Sequence, residues 1–172
     1  MNKLAIPVTA KDHAQGPAAA PATLVEYGDY QCPSCGDVVP VVKKLQKHFG
    51  NKLRFVFRNL PLEMHPYAES AAETAEFAGA HNNFWEMHDL LFKHQSNLAD
   101  ATLLKLAAQL KISEADLATA LEKRSYAAHV HSDLNGGIRS GVTGTPMFYL
   151  NGALYDDEYD YDSLAAAIEA QQ

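Results

Sequence analysis

Glu26–Pro40, "EYGDYQCPSCGDVVP", carries both cysteines of the 172-residue chain, three positions apart. A spacing of i and i+3 puts two side chains on one helix face, within reach of the geometry that a disulfide requires. Ahead of the pair, "TLVEYGDY" (23–30) is β-branched and aromatic, the composition of a buried strand. From Pro33 onward, Val38, Val41, Val42, Leu45 and Phe49 recur at helical spacing. Lys43, Lys44 and Lys47 gather near the end of that run, and Gly50 can stop it. Pro40 is expected to kink this helix. The cysteines therefore fall at a strand-to-helix junction. Cys32 would be the N-cap with Pro33 at the first helical position, so its sulfur faces free backbone N–H groups and the positive end of the helix dipole, which favours a thiolate. Cys32 is then the nucleophile and Cys35 the resolving thiol.

Working outward, "KLRFVFRNL" (52–60) alternates Leu53, Phe55 and Phe57 with basic residues and is bounded by Pro61, a second strand that completes a βαβ unit. Residues 66 to about 128 change character. "AESAAETAEFAGA", "NNFWEMHDLLFKH", "DATLLKLAAQL" and "SEADLATALEKR" carry helical periodicity and Asp, Ser or Asn starts, so three or four helices interrupt the strands. Phe84, Trp85, Leu90, Leu91 and Phe92 are assigned to the core rather than to a binding surface. A further helix over roughly 126–140 precedes "GVTGTPMFYLNGALYDD", which gives a short strand after Pro146 and another after the Asn151-Gly152 turn. A last helix is expected at about 161–171, preceded by the acidic aromatic run "YDDEYDYD" (155–162) as a solvated turn and helix start. Residues 1–22 end in "QGPAAAPA" and suit an extended N-terminal extension. Residues 23–172 form one α/β domain with its helical insertion at about 66–128.

A net charge of −7, from 21 acidic against 14 basic residues, disfavours a nucleic-acid partner. No apolar run approaches the roughly 20 residues that would span a bilayer, so stable membrane insertion is not expected. Phosphate-loop, nucleophile-elbow and dinucleotide fingerprints are absent. "LAI" after Lys3 is stopped at Pro7, too short for a secretory signal. With Met1 as native start the protein is expected in the cytoplasm; a processed, mature form would be periplasmic or otherwise extracytoplasmic.

"VEYGDYQCPSC", followed far downstream by "TGTP" and a short strand, resembles the DsbA-like thiol–disulfide oxidoreductases of the thioredoxin superfamily over most of residues 23–172. The resemblance implies a thioredoxin fold with an inserted helical subdomain and thiol–disulfide exchange on protein substrates. A redox partner protein or glutathione would recycle the couple, with no metal or organic cofactor. It further implies that Pro146 is the cis-proline packed against the cysteines. The main chain at Thr145 would pair with an extended substrate segment while Cys32 forms the mixed disulfide. Glu26 matches the position of a buried acid beneath the motif, able to shuttle protons for Cys35; strand alternation equally allows a strand-end acid facing solvent. Pro33 and Ser34 complete the active-site loop. Ser34 stands where strongly oxidising members carry a histidine, so a less oxidising couple is expected.

Rival readings use the same pair. Two buried structural cysteines are one. Half a zinc site is another, with His129 and His131 or His88 and His94 as partners, although no second C-x-x-C or H-x3–5-H follows at finger-like spacing. A redox-sensing interaction domain is a third. A peroxidase is disfavoured because "EYGDYQC" lacks the proline and threonine expected just before a peroxidatic cysteine.

Overall fold

The computed structural model describes residues 3–172. In chain order the elements are β1 (His13–Gln15), β2 (Ala22–Gly28), α1 (Pro33–Phe49), β3 (Leu53–Asn59), α2 (Ala68–Ala80), α3 (Phe84–Lys93), α4 (Asp100–Gln109), α5 (Glu114–Glu122), α6 (Ala127–Ser140), β4 (Met147–Leu150), β5 (Ala153–Leu154) and α7 (Tyr161–Glu169). One mixed sheet runs β1-β3-β2-β4-β5. The β2-α1-β3 unit is parallel, with Glu26 opposite Phe57, as a helical crossover demands. β4 lies antiparallel on the other side of β2, with Phe148 opposite Glu26. Asn151 and Gly152 take positive φ of 49° and 81°, the backbone of a tight hairpin turn into β5. This is the thioredoxin fold with an inserted helical region that the sequence suggested.

Burial explains the placement of the elements. Leu24, Phe55, Phe57, Phe148 and Leu150 face α1, α7 and the insertion in the main core. Val25, Tyr27, Val56 and Tyr149 point to the opposite face, covered by Leu134 of α6 and by Leu4 and Val8. The alanine-rich α2 makes the insertion compact: Ala68, Ala71, Ala72, Ala75 and Ala78 are all buried, and their small side chains let neighbouring helices approach closely. Phe84, Leu91 and Phe92 are core residues, with Trp85 and Leu90 packed against them. α1 continues through Pro40 to Phe49. Helical structure between β3 and β4 extends to Ser140.

The segment before residue 22 differs from the expected extended arm. It supplies edge strand β1, antiparallel to β3. Near the opposite edge, Lys3 bridges to Ala153, and the Leu4 N–H donates to the Gly152 carbonyl at 2.9 Å. Residues 3–15 thus form a strap across the second face of the sheet. Arg58 of β3 anchors it by spending all five N–H donors: Nε and Nη2 bind the Asp12 carboxylate at 2.8 and 3.2 Å, Nη1 reaches the Ile6 carbonyl and the Tyr27 hydroxyl, and Nη2 reaches the Pro7 carbonyl.

Removing one partner of a nearly buried ion pair strands the other and costs about 3–5 kcal/mol. Arg58→Met is accordingly expected to lower the unfolding free energy by about that amount in urea titration and to open the strap to proteolysis at Lys11.

Candidate active site

The junction between β2 and α1 assembles as the sequence implies. Cys32 caps α1 in extended conformation (φ −70°, ψ 119°) with Pro33 at the first turn, and Gly36 N–H donates to the Cys32 carbonyl at 3.2 Å. Both thiols are free. Cys32 is 7% exposed and Cys35 is fully buried, while Pro33 and Ser34 lie on the surface. Of the two cysteines, Cys32 is therefore the one nearer solvent.

The loop before β4 stands across from it. The Thr145–Pro146 peptide is cis, and the Cys32 thiol donates to the Thr145 carbonyl at 3.4 Å. Cys35 is enclosed on the inner side, where the Asp29 N–H donates to its sulfur at 3.4 Å. Burial pushes the Cys35 thiol far up, and the neighbouring Glu26 carboxyl adds to this. The Asp29 N–H and the buried Thr145 hydroxyl, which lacks a close hydrogen-bond partner, pull the other way without reversing it.

Glu26 does not face solvent. Its register partners Phe57 and Phe148 show that it points into the main core beneath the cysteines, and it is 3% exposed with Oε1 unpartnered. Burial pushes its carboxyl up to about 8, so it holds a proton at neutral pH. It lines a cavity of about 70 Å³ that also touches Lys43 and Gln46 of α1 and His88 and Asp89 of α3.

Two residues outside the expected set hold this geometry. The buried Asp29 carboxylate accepts from the N–H groups of Gln31 (2.7 Å) and Cys32 (3.2 Å) through Oδ1. Through Oδ2 it takes the Leu62 N–H and His65 Nδ1, both at 2.8 Å. An Asp bonding the backbone two residues on is an Asx turn, so "DYQC" contained this signal. Gln95, in the loop after α3, donates from Nε2 to the Tyr30 and Cys32 carbonyls at 3.2 and 3.1 Å. A Cβ on Gly36 would lie 2.3 Å from Gln95 Oε1, so the glycine leaves the room Gln95 occupies. No local pattern marks Gln95, because its partners are distant in sequence.

The histidines considered as zinc partners of the cysteines lie elsewhere. His88 is buried, its pKa pushed down to about 3, and shares a 3.1 Å hydrogen bond with the Tyr30 hydroxyl. His94 bonds the Leu90 carbonyl, His131 bonds Glu69, and His129 faces Glu76. Among the described residues, the ligand groups that converge closely enough for a metal are His13, Glu76 and His129, with neither cysteine.

A slightly exposed and a fully buried cysteine paired at a helix start, opposite the Thr145–Pro146 loop, define the thiol–disulfide oxidoreductase class within the thioredoxin fold. Residues 8–170 match the thioredoxin family, and the chain belongs to it, in its DsbA-like group. Oxidised BdbD from Bacillus subtilis is 29% identical, superimposes with a TM-score of 0.85, and covers 93% of this chain and 92% of its own. Alpha-DsbA1 from Wolbachia pipientis, at 19% identity, shares the fold with a TM-score of 0.83 over 98% of this chain and 94% of its own. Among curated proteins, Na(+)/H(+) antiporter NhaA 1 of Salinispora arenicola is 45% identical over 159 residues, 92% of this chain and 24% of the antiporter. NhaA 1 of Mycolicibacterium gilvum is 36% identical over 163 residues, 93% of this chain and 26% of the antiporter. The chain thus spans about a quarter of the length of these relatives.

Two outcomes follow from this geometry. Glu26 has a folded-state pKa near 8 against an ordinary value of 4.5, so between those values the folded chain keeps a proton that the unfolded chain has lost, and stability falls as pH rises. Glu26→Gln should raise the unfolding free energy by about 2–4 kcal/mol above about pH 8 and leave it unchanged near pH 4. Gln95→Ala and Gly36→Ala both remove the brace on the cysteine loop; each should destabilise the reduced protein by about 1–2 kcal/mol, with the double variant little worse than either alone.

Proposed function

We propose that the protein exchanges disulfides with protein substrates, Cys32 forming the mixed disulfide that Cys35 resolves. The observation that carries this reading is the asymmetry of the two cysteines: Cys32 slightly exposed and against the Thr145 carbonyl, Cys35 fully sealed above a protonated carboxyl.

In the oxidising direction a substrate thiolate attacks Cys32 Sγ of the closed pair, making the mixed disulfide and expelling Cys35 as a thiolate. Burial makes that thiolate costly, and Glu26 can hand it a proton in place. A second substrate thiolate then attacks the substrate sulfur of the mixed disulfide. The substrate disulfide closes as the bond to Cys32 Sγ breaks, and Cys32 leaves as a thiolate with that bond's electron pair, so the substrate is oxidised and the Cys32–Cys35 pair is left reduced. In the reducing direction the steps run backwards: the Cys32 thiolate opens a substrate disulfide, Glu26 in its ionised form takes the Cys35 proton, and the Cys35 thiolate attacks Cys32 to release the substrate thiolate. Backbone pairing between Thr145 and an extended substrate segment would align the substrate sulfur with Cys32. A redox partner protein or glutathione returns the couple to its starting state.

The reduction potential fixes direction and compartment together. A couple near about −120 mV belongs to an oxidase in an extracytoplasmic space, and one near about −270 mV to a reductase in the cytosol. Antiport, named in the longer relatives, is outside this proposal, and no helix among the described residues is long and apolar enough to cross a membrane.

Cys35→Ser should accumulate disulfide-linked substrate adducts on non-reducing gels and Cys32→Ser should not; absence of a reversible couple in glutathione buffers would sink the proposal. Ser34 presents only a hydroxyl to the loop, so the potential is expected to be more reducing than about −120 mV. Ser34→His, adding one charge-assisted interaction to the thiolate form, should raise the potential by about 30–60 mV.

A further inference from the structure

We propose that His13, Glu76 and His129 form a binding site for a divalent transition-metal cation, zinc by chemistry, that locks the N-terminal strap onto the helical insertion. The residues come from three elements, β1, α2 and α6, and their ligand atoms all lie within 4.8 Å of one another. His13 Nε2 stands 2.9 Å from Glu76 Oε2, and His129 Nε2 stands 3.5 Å from the same oxygen. A tetrahedral zinc with bonds of about 2.0–2.1 Å separates its ligand atoms by about 3.3 Å. Small side-chain rotations therefore suffice.

The surroundings orient these groups. Asn59 Nδ2 donates to Glu76 Oε1 at 2.8 Å, and while His13 Nε2 lies 3.1 Å from that oxygen as well, Oε2 is the one near both imidazoles; outer partners fix ligating carboxylates in this way. The His13 ring stacks on Phe84 at 3.5 Å with 4° between planes, which fixes its direction. Charge points the same way. Asp133 lies 3.9 Å from His129 Nε2, so two largely buried carboxylates, Glu76 and Asp133, meet here. Among the described residues neither pairs with a lysine or arginine within 4.0 Å, and nearby Arg58 is committed to Asp12. Buried negative charge of this kind calls for a cation. His129 and Asp133 also border a cavity of about 240 Å³, a route by which an ion can arrive. Two imidazoles favour zinc and its transition-metal neighbours over calcium or magnesium, which take oxygen ligands. Binding displaces any proton held on the two Nε2 atoms, with no change of oxidation state.

The test is zinc chloride titrated by calorimetry into the chelator-stripped full chain, with thermal unfolding and Lys11 proteolysis followed in parallel. Cys32→Ser/Cys35→Ser, which has no thiol chemistry, should bind one zinc per chain as tightly as the parent, so the result does not depend on the exchange reading. His129→Ala, at a side chain 43% exposed and so harmless to folding, should weaken zinc at least about 100-fold. His13→Gln should do the same. Zinc should raise the unfolding midpoint and slow cleavage at Lys11 in the parent and not in His129→Ala. Stoichiometric zinc lost with the cysteines, zinc unaffected by His129→Ala, calcium bound in its stead, or no zinc at all would each overturn the site; zinc bound without protection of Lys11 would overturn the lock.

Discussion

Asp29, one buried carboxylate just past the end of β2, ties the cysteine loop to the chain that leaves β3. Its two oxygens accept from the Gln31 and Cys32 amides on one side and from Leu62 and His65 on the other. The cysteine loop is thereby pinned to the turn that leads from β3 into the helical insertion. Four acceptor contacts offset the desolvation of the carboxylate, which otherwise would be among the most costly groups to bury. With the loop fixed this way, Cys32 can cap α1 while its sulfur faces Thr145, and Cys35 can lie a turn further in.

Around that fixed point the fold creates two chemically different thiols from identical side chains. The difference is one of environment: Cys32 has solvent and a carbonyl beside it, Cys35 has the core and Glu26. A carboxyl left unpartnered among Phe57 and Phe148 is poor for stability, and this kind of local conflict is expected where a site has chemical work. The insertion contributes through Gln95, whose amide holds the loop carbonyls from outside the βαβ unit. Sheet, insertion and loop are thus one mechanical assembly rather than a scaffold with an ornament.

Much of this was legible in the sequence wherever local pattern coincides with burial. The strand expected at 23–30 is Ala22–Gly28 and the one expected at 52–60 is Leu53–Asn59, because a core on both faces selects the apolar, β-branched and aromatic residues that mark them. Other features required tertiary information. β1 is only His-Ala-Gln, which has no strand signature, and it forms because β3 offers a free edge. The orientation of Glu26 could not be settled by alternation; it is set by the pairing of β2 with β3 and β4 on both sides. Gln95 and the grouping of His13, Glu76 and His129 join residues from separate elements, so no window of sequence contains them. Asp29 is the intermediate case, an Asx-turn residue visible three positions before Cys32 but recognisable as a hub only once Leu62 and His65 fold against it.

The strap has a mechanical consequence. Residues 3–15 run from β5 at one edge of the sheet to β1 at the other, held midway by Arg58. A pull applied at the amino end would load these contacts in succession: first the Lys3–Ala153 bridge, then the guanidinium fork, then the β1–β3 ladder. None of the three includes the cysteine loop. Tension entering from that end would be dissipated in a peeling sequence along the back of the sheet, and the thiols would keep their alignment until the last of those contacts gave way.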